Sequence, residues 1–242
     1  MTANLADDIA DRLQKIEHKI AQSMTQLDQQ AQHRPVRLVA VTKTFSAEIV
    51  RAAYAAGIRD FAENKVQEGI AKRLALSDLT GITWHFIGAV QSNKSRKVLE
   101  NFDWIHSVDS LKLAKRLNQQ AQELKRCPTC CLQVKLALDP TKSGFEPDEL
   151  LAALPELSQL TDLKIAGLMA IAPYGLAASQ TQTVFERGRD LAQQVSQVAQ
   201  QQGWQSVHMN ELSMGMSGDF EEAIAAGATL VRIGSGLFGQ RS

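Results

Sequence analysis

The sequence lacks the features that mark membrane proteins, secreted proteins and nucleic-acid-binding proteins. Its 242 residues contain no apolar run of about eighteen residues or more, and the amino terminus lacks the charged and apolar regions of a secretory signal. The 26 Lys and Arg residues balance the 26 Asp and Glu residues, and like charges form no long block. We therefore predict a cytoplasmic protein that binds neither membranes nor nucleic acid.

Cysteine is scarce as well, and its three residues, Cys127, Cys130 and Cys131, lie close together. Cys127 and Cys130 have the CxxC spacing of some metal and redox sites, but no second Cys or His pair lies at the distance that a zinc site requires. The apolar stretch that follows Cys131 indicates a buried strand. We therefore interpret the cysteines as small residues at the entrance of a strand and predict no metal site.

An amphipathic helix is predicted over residues 1–33, at the start of the chain. From Leu5 to Leu27 the apolar residues follow one another at steps of three and four, the spacing that places them on one helix face. The other residues of this segment are mostly polar, which indicates a solvated surface. After Pro35 the pattern changes to short apolar runs that alternate with helix-like segments.

This alternation predicts a parallel α/β fold. Eight strands are predicted at Arg37–Thr42, Ile58–Glu63, Thr83–Ile87, Trp104–Val108, Cys131–Leu138, Lys164–Met169, Val207–Leu212 and Thr229–Ile233. Helices are predicted at Ala47–Ala56, Val66–Leu76, Lys94–Asn101, Leu111–Lys125, Pro147–Leu154, Thr181–Gln202 and Phe220–Ala226. Eight such units close a TIM-type (β/α)8 barrel, so we predict a single barrel domain over residues 1–242. A doubly wound open sheet would show the same alternation, but the GxGxxG fingerprint after the first strand is missing.

Active sites of this fold lie at the carboxyl ends of the strands, so polar residues there are the candidates. Lys43 stands at the end of the first strand, after the apolar run Leu38–Val41. Burying an ammonium group is costly, so such a lysine either pairs with a carboxylate or loses its proton. An unprotonated lysine is the nucleophile that forms a Schiff base with an aldehyde. An ordinary ion pair at the barrel mouth is the alternative interpretation.

Two further strands carry polar residues whose roles the sequence leaves open. Glu63 and Asn64 end the second strand, where they could orient a ligand, and Asn64 could instead cap the next helix. His85 lies inside the third strand between bulky residues. Because a single histidine without a Cys, Asp or Glu neighbour makes a poor metal site, we interpret His85 as a core histidine with its hydrogen bonds satisfied.

The ends of the seventh and eighth strands are rich in serine and glycine. The seventh strand runs into Glu211–Asp219, which includes Ser213 and Ser217, and the eighth runs into Gly234–Gly236, which includes Ser235. In TIM barrels the loops after these two strands frequently bind phosphate, and glycine lets the backbone approach an anion closely. Two ordinary tight turns with serine caps are the alternative interpretation.

A lysine suited to a Schiff base, a phosphate site and the lack of metal or nucleotide motifs together favour pyridoxal 5′-phosphate (PLP) as the cofactor. Arg232, in the eighth strand, adds a mechanistic expectation. If its guanidinium group faced the pyridine nitrogen, that nitrogen would stay unprotonated, and the ring would be a poor electron sink.

Several separated motifs resemble those of the pyridoxal phosphate homeostasis protein family over nearly the whole chain. They are Leu38–Thr44, Glu63-Asn64 with Val66–Glu68, Trp84–Gly88 with Gln91–Lys94, Gly167–Met169, Leu212–Ser217 with Asp219, and Val231–Ser235 with Phe238-Gly239. The resemblance implies a barrel of the alanine racemase type that binds PLP through Lys43. It also implies further cofactor-binding residues, namely Asn64, Ser213, Met214, Ser217, Arg232, Gly234 and Ser235. Ala62 and Ala89 depart from the family pattern beside the pocket, and we expect them to alter only its edges.

The resemblance implies a largely non-catalytic protein that holds or delivers PLP and affects vitamin B6 and amino-acid balance, with PLP-dependent enzymes as candidate clients. One alternative is a small PLP-dependent racemase, which needs a second base opposite Lys43, commonly a tyrosine. Tyr54 lies in a predicted helix and nothing in the sequence marks Tyr174 as activated. Another alternative is a phosphate-handling isomerase that uses Glu63 as its base. Because no residues remain for the second domain of alanine racemase, which carries dimer contacts, we expect a monomer.

Overall fold

Eight parallel strands follow one another around a closed barrel, and the first strand pairs with the eighth. The computed structural model describes residues 2–25, 35–137 and 143–239. The strands are β1 (Arg37–Val41), β2 (Asp60–Glu63), β3 (Thr83–Phe86), β4 (Trp104–Val108), β5 (Thr129–Gln133), β6 (Lys164–Met169), β7 (Val207–Met216) and β8 (Leu230–Ile233). This arrangement confirms the predicted TIM-type (β/α)8 barrel with an additional amino-terminal helix.

Helices surround the barrel, and most of them connect one strand to the next. Within the described residues they are α1 (Thr2–Thr25), α2 (Ala47–Ala55), α3 (Val66–Ala75), α4 (Ser95–Asn101), α5 (Leu111–Leu124), α6 (Pro147–Leu157), α7 (Ala178–Gln202), α8 (Phe220–Ala225) and α9 (Ser235–Phe238). No helix in these described ranges has both the length and the apolar character of a bilayer-spanning segment.

The amino-terminal helix packs on the outside of the barrel through one apolar face. Its buried apolar residues are Ile9, Leu13, Ile16 and Ile20, and most residues between them are exposed. This face contacts α2, α8 and α9. The predicted amphipathic helix is therefore confirmed over Thr2–Thr25, and residues 26–33 of the prediction lie outside the described ranges.

The fifth strand lies earlier in the chain than the predicted Cys131–Leu138. β5 begins at Thr129, which pairs with Trp104 of β4 and Lys164 of β6. It ends at Gln133, because the chain then turns to hydrogen-bond with Phe145. Residue 138 lies outside the described ranges. The cysteine interpretation is corrected accordingly, since Cys130 and Cys131 lie inside the strand rather than at its entrance.

The seventh strand is longer than the predicted Val207–Leu212 and continues to Met216. Its pairing with β8 contains a bulge between Ser213 and Met216. Gly215 accommodates this bulge with φ 85°, a conformation that a side chain would strain. Ser213 and Met214 are therefore strand residues, and the serine-containing loop begins at Ser217.

Alternate strand residues fill the barrel interior, while the others pack beneath the helices. Val39, Val41, Ala62 and Leu230 form a small apolar cluster of their own, and the much larger apolar core joins the barrel to the helices. Polar side chains occupy the rest of the interior, and they connect it to the carboxyl-terminal mouth of the barrel.

Candidate functional site

A cavity of about 770 Å³ opens at the carboxyl-terminal end of the barrel. The predicted site residues that line it are Lys43, Ser217, Arg232, Gly234 and Ser235. Lys43 is far from the other four in sequence, but all five follow or belong to β1, β7 and β8, which are neighbours in the closed barrel. The fold therefore brings the predicted amine and the predicted phosphate loops to one cavity.

Lys43 is half-buried where the chain leaves β1, at the start of an unusual turn. The next residue, Thr44, has φ 71°, a left-handed conformation that β-branched residues rarely adopt. Its backbone N–H donates a hydrogen bond to Glu68 Oε2 at 3.2 Å. The ring of Phe45 lies 5.0 Å from the ring of Phe238 in α9, centroid to centroid. These contacts fix the turn after Lys43 against α3 and α9.

Arg232 forms part of the cavity floor and is only 4% exposed. Its Nη1 donates to the carbonyl oxygen of Ser213 at 2.5 Å and to Ser213 Oγ at 2.7 Å, and its Nη2 donates to the carbonyl oxygen of Ala170 at 3.0 Å. Burial lowers the pKa of Arg232 to about 10. The guanidinium group is therefore still protonated at neutral pH, and it presents only hydrogen-bond donors.

The loops after β7 and β8 are joined through one serine. Ser217 Oγ accepts hydrogen bonds from the backbone N–H groups of Gly234 at 3.3 Å and Gly236 at 3.1 Å. Because these two donors occupy acceptor positions of the oxygen, the hydroxyl proton of Ser217 remains available as a donor. Asp219 accepts a hydrogen bond from the backbone N–H of Met216 at 2.5 Å, and burial raises the pKa of its carboxyl group.

Three predicted residues, Asn64, Ser213 and Met214, are not among the residues that line the cavity. Ser213 lies beneath it, fully buried against Arg232. The side chain of Met214 packs outside the barrel, where its sulfur lies so close to Gly188 of α7 that an added Cβ there would come within 3.0 Å. This side chain therefore faces away from the cavity, and the role predicted for Met214 is restricted to its backbone.

Asn64 is half-buried at the end of β2, and its backbone is in close contact with Gly88. A Cβ at Gly88 would lie 2.1 Å from the carbonyl oxygen of Asn64, so only glycine fits there. The alternative role of Asn64 as a helix cap is wrong, because the residue that precedes α3 is Lys65 and its side chain makes no capping hydrogen bond. The predicted contact of Asn64 with a cofactor stays a prediction.

Glu63 points out of the barrel rather than into its mouth. Its Oε1 accepts hydrogen bonds from Lys72 Nζ at 2.5 Å and Thr42 Oγ1 at 2.6 Å, and the carboxyl group is fully buried. It is not among the residues that line the cavity. The structure therefore removes the basis of the isomerase hypothesis, in which Glu63 acts as a base at the mouth.

His85 is a core histidine with both ring nitrogens satisfied, as the sequence predicts. Its Nε2 lies 2.9 Å from Asp60 Oδ1, and its Nδ1 lies 2.9 Å from His106 Nε2. The supporting argument that His85 has no acidic neighbour is wrong, because Asp60 approaches it across the β2–β3 pair. The sequence does not indicate this contact, because Asp60 and His85 are far apart along the chain.

One wall of the cavity escaped the sequence analysis. It consists of the segment after β6, Ile171–Leu176, together with Thr181 of α7. These residues are mostly apolar, so no chemical signal marks them. Tyr174, named only in connection with the racemase hypothesis, lies on this wall with its side chain fully exposed.

The three cysteines are free thiols, and two of them are fully buried. Burial raises the pKa of Cys131 to about 12 and also raises the pKa of Cys130. Their reactive thiolate forms are therefore disfavoured. Within the described residues, no three His, Cys, Asp or Glu side chains are arranged to hold a metal ion.

Comparison with known proteins places the chain in a family. Residues 12–242 match the family described as alanine racemase, N-terminal domain. A relative named pyridoxal phosphate homeostasis protein, from Synechocystis sp. strain PCC 6803, is 52% identical over 206 residues, which are 85% of this chain and 92% of the relative. A protein of the same name from Escherichia coli K12 is 40% identical over 241 residues, which are 97% of each chain.

Solved structures agree with this assignment. PipY of Synechococcus elongatus PCC7942, solved with PLP bound, is 48% identical and has a TM-score of 0.82, over 96% of this chain and all of PipY. The curated relatives and PipY match this chain over nearly their whole length. The chain therefore belongs to the pyridoxal phosphate homeostasis protein family.

Proposed function

We propose that this protein binds PLP in the cavity at the barrel mouth, holds it covalently through Lys43, and serves the storage or delivery of the cofactor rather than a reaction of its own. The observation that carries the proposal is the meeting of an amine, a buried guanidinium group and two serine–glycine loops around one cavity. The names of the relatives and the PLP bound to PipY support it.

The cavity fits a small phosphorylated cofactor in size. Its volume of about 770 Å³ lies within the range of roughly 300–1,000 Å³ typical of small-molecule sites. When bound, PLP supplies an aldehyde that an amine can hold covalently and a ring that can withdraw electrons. Among the described lining residues, Lys43 carries the one primary amine, and we assign it as the point of attachment.

The loops after β7 and β8 fit a phosphate group. The hydroxyl group of Ser217 and the backbone N–H of Ser235 are candidate donors for its oxygens. Gly236 leaves space in this region, because a Cβ at this position would lie 3.4 Å from Ser217 Oγ. Asp219 adds a carboxyl group at the same loop, and burial raises the pKa of this group.

Arg232 supports a holding function rather than catalysis. A protonated guanidinium group can only donate hydrogen bonds, so in facing a pyridine nitrogen it would keep that nitrogen unprotonated. Arg232 would then leave the ring a weaker electron sink than a carboxylate partner would. Its hydrogen bonds to Ser213 and Ala170 hold the guanidinium group in place for this contact.

The racemase hypothesis remains a second candidate because Tyr174 lines the same cavity as Lys43. A second base must be held in position to take a proton from substrate. The side chain of Tyr174 is fully exposed, and its hydroxyl group makes no hydrogen bond with the described residues. This arrangement favours the carrier function over racemisation.

The cofactor assignment is tested by adding PLP to the purified wild-type protein. We expect saturable binding at one site per chain, a near-visible absorbance band that borohydride removes, and retention of one reduced cofactor per chain in the intact mass. Peptide mapping should locate the added mass on Lys43. A protein that acquires neither the band nor the mass would contradict the proposal.

The proposal of a largely non-catalytic protein makes a separate prediction. The PLP-loaded wild type is expected to exchange the α-proton of L-alanine in heavy water no faster than free PLP does, because Tyr174, the tyrosine that lines the cavity, is fully exposed and is not held in position by the described residues. Proton NMR of the alanine methyl and α-proton signals measures this exchange. Fast exchange that disappears in Tyr174→Phe would instead support the racemase hypothesis.

We further propose that the protein works in the cytoplasm as a monomer, with PLP-dependent enzymes as recipients of the cofactor. The cavity faces outward at the barrel mouth, and Tyr174 and Met216 are exposed apolar side chains beside it. Transfer to a PLP-free recipient enzyme would appear as recovery of that enzyme's activity at a rate above that of spontaneous PLP release.

A further inference from the structure

The barrel interior contains a continuous chain of hydrogen-bonding side chains that ends at the cavity. Asp60 Oδ1 lies 2.9 Å from His85 Nε2, and His85 Nδ1 lies 2.9 Å from His106 Nε2. His106 Nδ1 lies 2.7 Å from Ser213 Oγ, and Arg232 Nη1 lies 2.7 Å from the same oxygen. We call these five residues the interior chain.

The interior chain links the two ends of the barrel. Asp60 is the first residue of β2, at the amino-terminal end, and its side chain is 22% exposed. Arg232 lies on the floor of the cavity at the opposite end. The three residues between them, His85, His106 and Ser213, are at most 1% exposed. A polar path therefore crosses an interior that is otherwise closed to water.

The two ends of the chain restrict the direction of every hydrogen bond. A guanidinium group only donates and a carboxylate only accepts, whereas a neutral imidazole has one donor and one acceptor nitrogen. In one consistent arrangement Arg232 donates to Ser213, Ser213 donates to His106 Nδ1, His106 Nε2–H donates to His85 Nδ1, and His85 Nε2–H donates to Asp60. Both imidazoles are then neutral and carry their proton on Nε2.

A second arrangement also satisfies the geometry. If a neutral His106 donated from Nδ1–H to Ser213, then its Nε2 would be an acceptor and His85 would have to donate from both nitrogens, as an imidazolium ion. The environment disfavours this cation. Burial lowers the pKa of His85, although Asp60 partly opposes it, and burial lowers the pKa of His106 still more clearly.

Charged groups from several strands surround the two imidazoles. They are Arg37 of β1, Asp60 of β2, Asp103 just before β4, and Arg232 of β8. Arg37 lies 3.7 Å from Asp60 and 3.6 Å from Glu211 of β7, so part of the charge of Asp60 is already balanced. This balance reduces the need for a second cation on His85 and favours the neutral arrangement.

We propose that Asp60, His85 and His106 are positioning residues that orient the Ser213 hydroxyl group away from Arg232 and so fix the guanidinium group in the cavity. The hydroxyl proton of Ser213 points to His106, which leaves the lone pairs of its oxygen free for Arg232. The expected effect on PLP affinity rests on the proposed function. The position of each proton within the interior chain, which we call the proton order, does not depend on it.

The proton order is testable in the wild type without PLP. In protein labelled with ¹⁵N-histidine, long-range proton–nitrogen correlations distinguish a protonated from an unprotonated ring nitrogen. We expect two histidines with a bare Nδ1 and a protonated Nε2 that do not change between about pH 6 and 8. The exposed His18 and His208 provide the reference for solvent-exposed rings. A proton on Nδ1 of His106, or an imidazolium signal from His85, would overturn the proposal.

The link to Arg232 is tested with a matched pair of variants. In His106→Asn the side-chain amide can take the position of Nδ1 and keep a hydrogen-bond partner for Ser213. In His106→Gln the amide reaches the position of Nε2 instead, and Ser213 loses that partner. We expect His106→Gln to weaken PLP binding about tenfold, the effect of losing one buried hydrogen bond. His106→Asn should retain most of the affinity, and the exposed variant His208→Gln should bind like the wild type.

The remaining comparison is with Ser213→Ala. Because Ser213 and His106 act on Arg232 through the same bond, the double variant with His106→Gln should bind PLP no more weakly than the weaker single variant. Equal affinity of all variants and the wild type would overturn the positioning role. A wild type that does not bind PLP would contradict the proposed function alone, since the NMR experiment still decides the proton order.

Discussion

Replacing Lys43 with alanine is expected to abolish the covalent attachment of PLP and to weaken its binding at least about tenfold. Among the described residues of the cavity lining, Lys43 provides the one primary amine, and a Schiff base with the PLP aldehyde requires such an amine. Arg232 and the Ser217 loop remain in place, so weak reversible binding should persist. Spectroscopic titration measures the affinity, and borohydride reduction followed by intact mass measures the attachment.

Two control variants separate the covalent bond from charge and from surface labelling. Lys43→Arg keeps a positive charge but offers no nucleophilic amine, so it should bind reversibly and escape reduction. Lys65→Ala removes an exposed lysine that pairs with Glu68 at 2.9 Å, and it should acquire the cofactor like the wild type. Stoichiometric reductive labelling of Lys43→Ala would show that another lysine is the point of attachment.

The sequence identifies those cavity-lining residues whose positions follow from the barrel topology alone. Lys43, Ser217 and Gly234 are found because a lysine and serine–glycine loops follow the carboxyl ends of strands, and such ends meet at one face of a barrel. The outward orientation of the Met214 side chain is not predicted by the sequence, because side chains alternate along a strand and the bulge between Ser213 and Met216 that sets the register is not visible in the pattern.

The interior chain could not be predicted for a related reason. Its members are far apart in sequence, and each one alone resembles an ordinary buried polar residue. Only the pairing of Ala62 with His85 and of His85 with Trp104 brings Asp60 and His106 to the two sides of one ring. The strands themselves are easier to predict, because helices of clear periodicity separate their apolar runs. The errors in strand boundaries occur where hydrogen-bond pairing rather than residue composition ends a strand, as at Gln133.

Replacing Lys72 with methionine is expected to cost about 3–5 kcal/mol of the free energy of unfolding, because it leaves the buried carboxylate of Glu63 without its cation. The side chain of Lys72 is 9% exposed and that of Glu63 is fully buried. Glu63 Oε2 already has no hydrogen-bond partner among the described residues, so little remains to compensate the lost charge. For a protein of this size the loss corresponds to about 6–20 °C in melting temperature.

The stability that Lys72→Met loses relative to the wild type should increase as the pH rises. Burial raises the pKa of Glu63, although hydrogen bonds from Lys72 and Thr42 oppose it. The folded protein therefore holds this proton more tightly than the unfolded chain, so the contribution of Glu63 is most favourable below its unfolded pKa of about 4.3 and is lost as pH rises through the folded pKa. Without Lys72 the folded pKa rises further, and the deficit should grow between about pH 5 and 8.

Denaturant unfolding at pH 5 and pH 8 measures this deficit, and a second substitution identifies its cause. Lys72→Met leaves the Glu63 carboxylate buried without a cation, and adding Glu63→Gln removes that negative charge. The double variant should therefore be more stable at pH 8 than Lys72→Met alone, and its stability should depend little on pH. If packing rather than charge determined the loss, Glu63→Gln would restore nothing. Lys65→Met, which breaks an exposed ion pair, should cost about 1 kcal/mol or less of the free energy of unfolding.

Lys72→Met should weaken PLP binding as well. Lys72 Nζ also donates a hydrogen bond to the carbonyl oxygen of Thr42 at 2.6 Å, and Thr42 directly precedes Lys43.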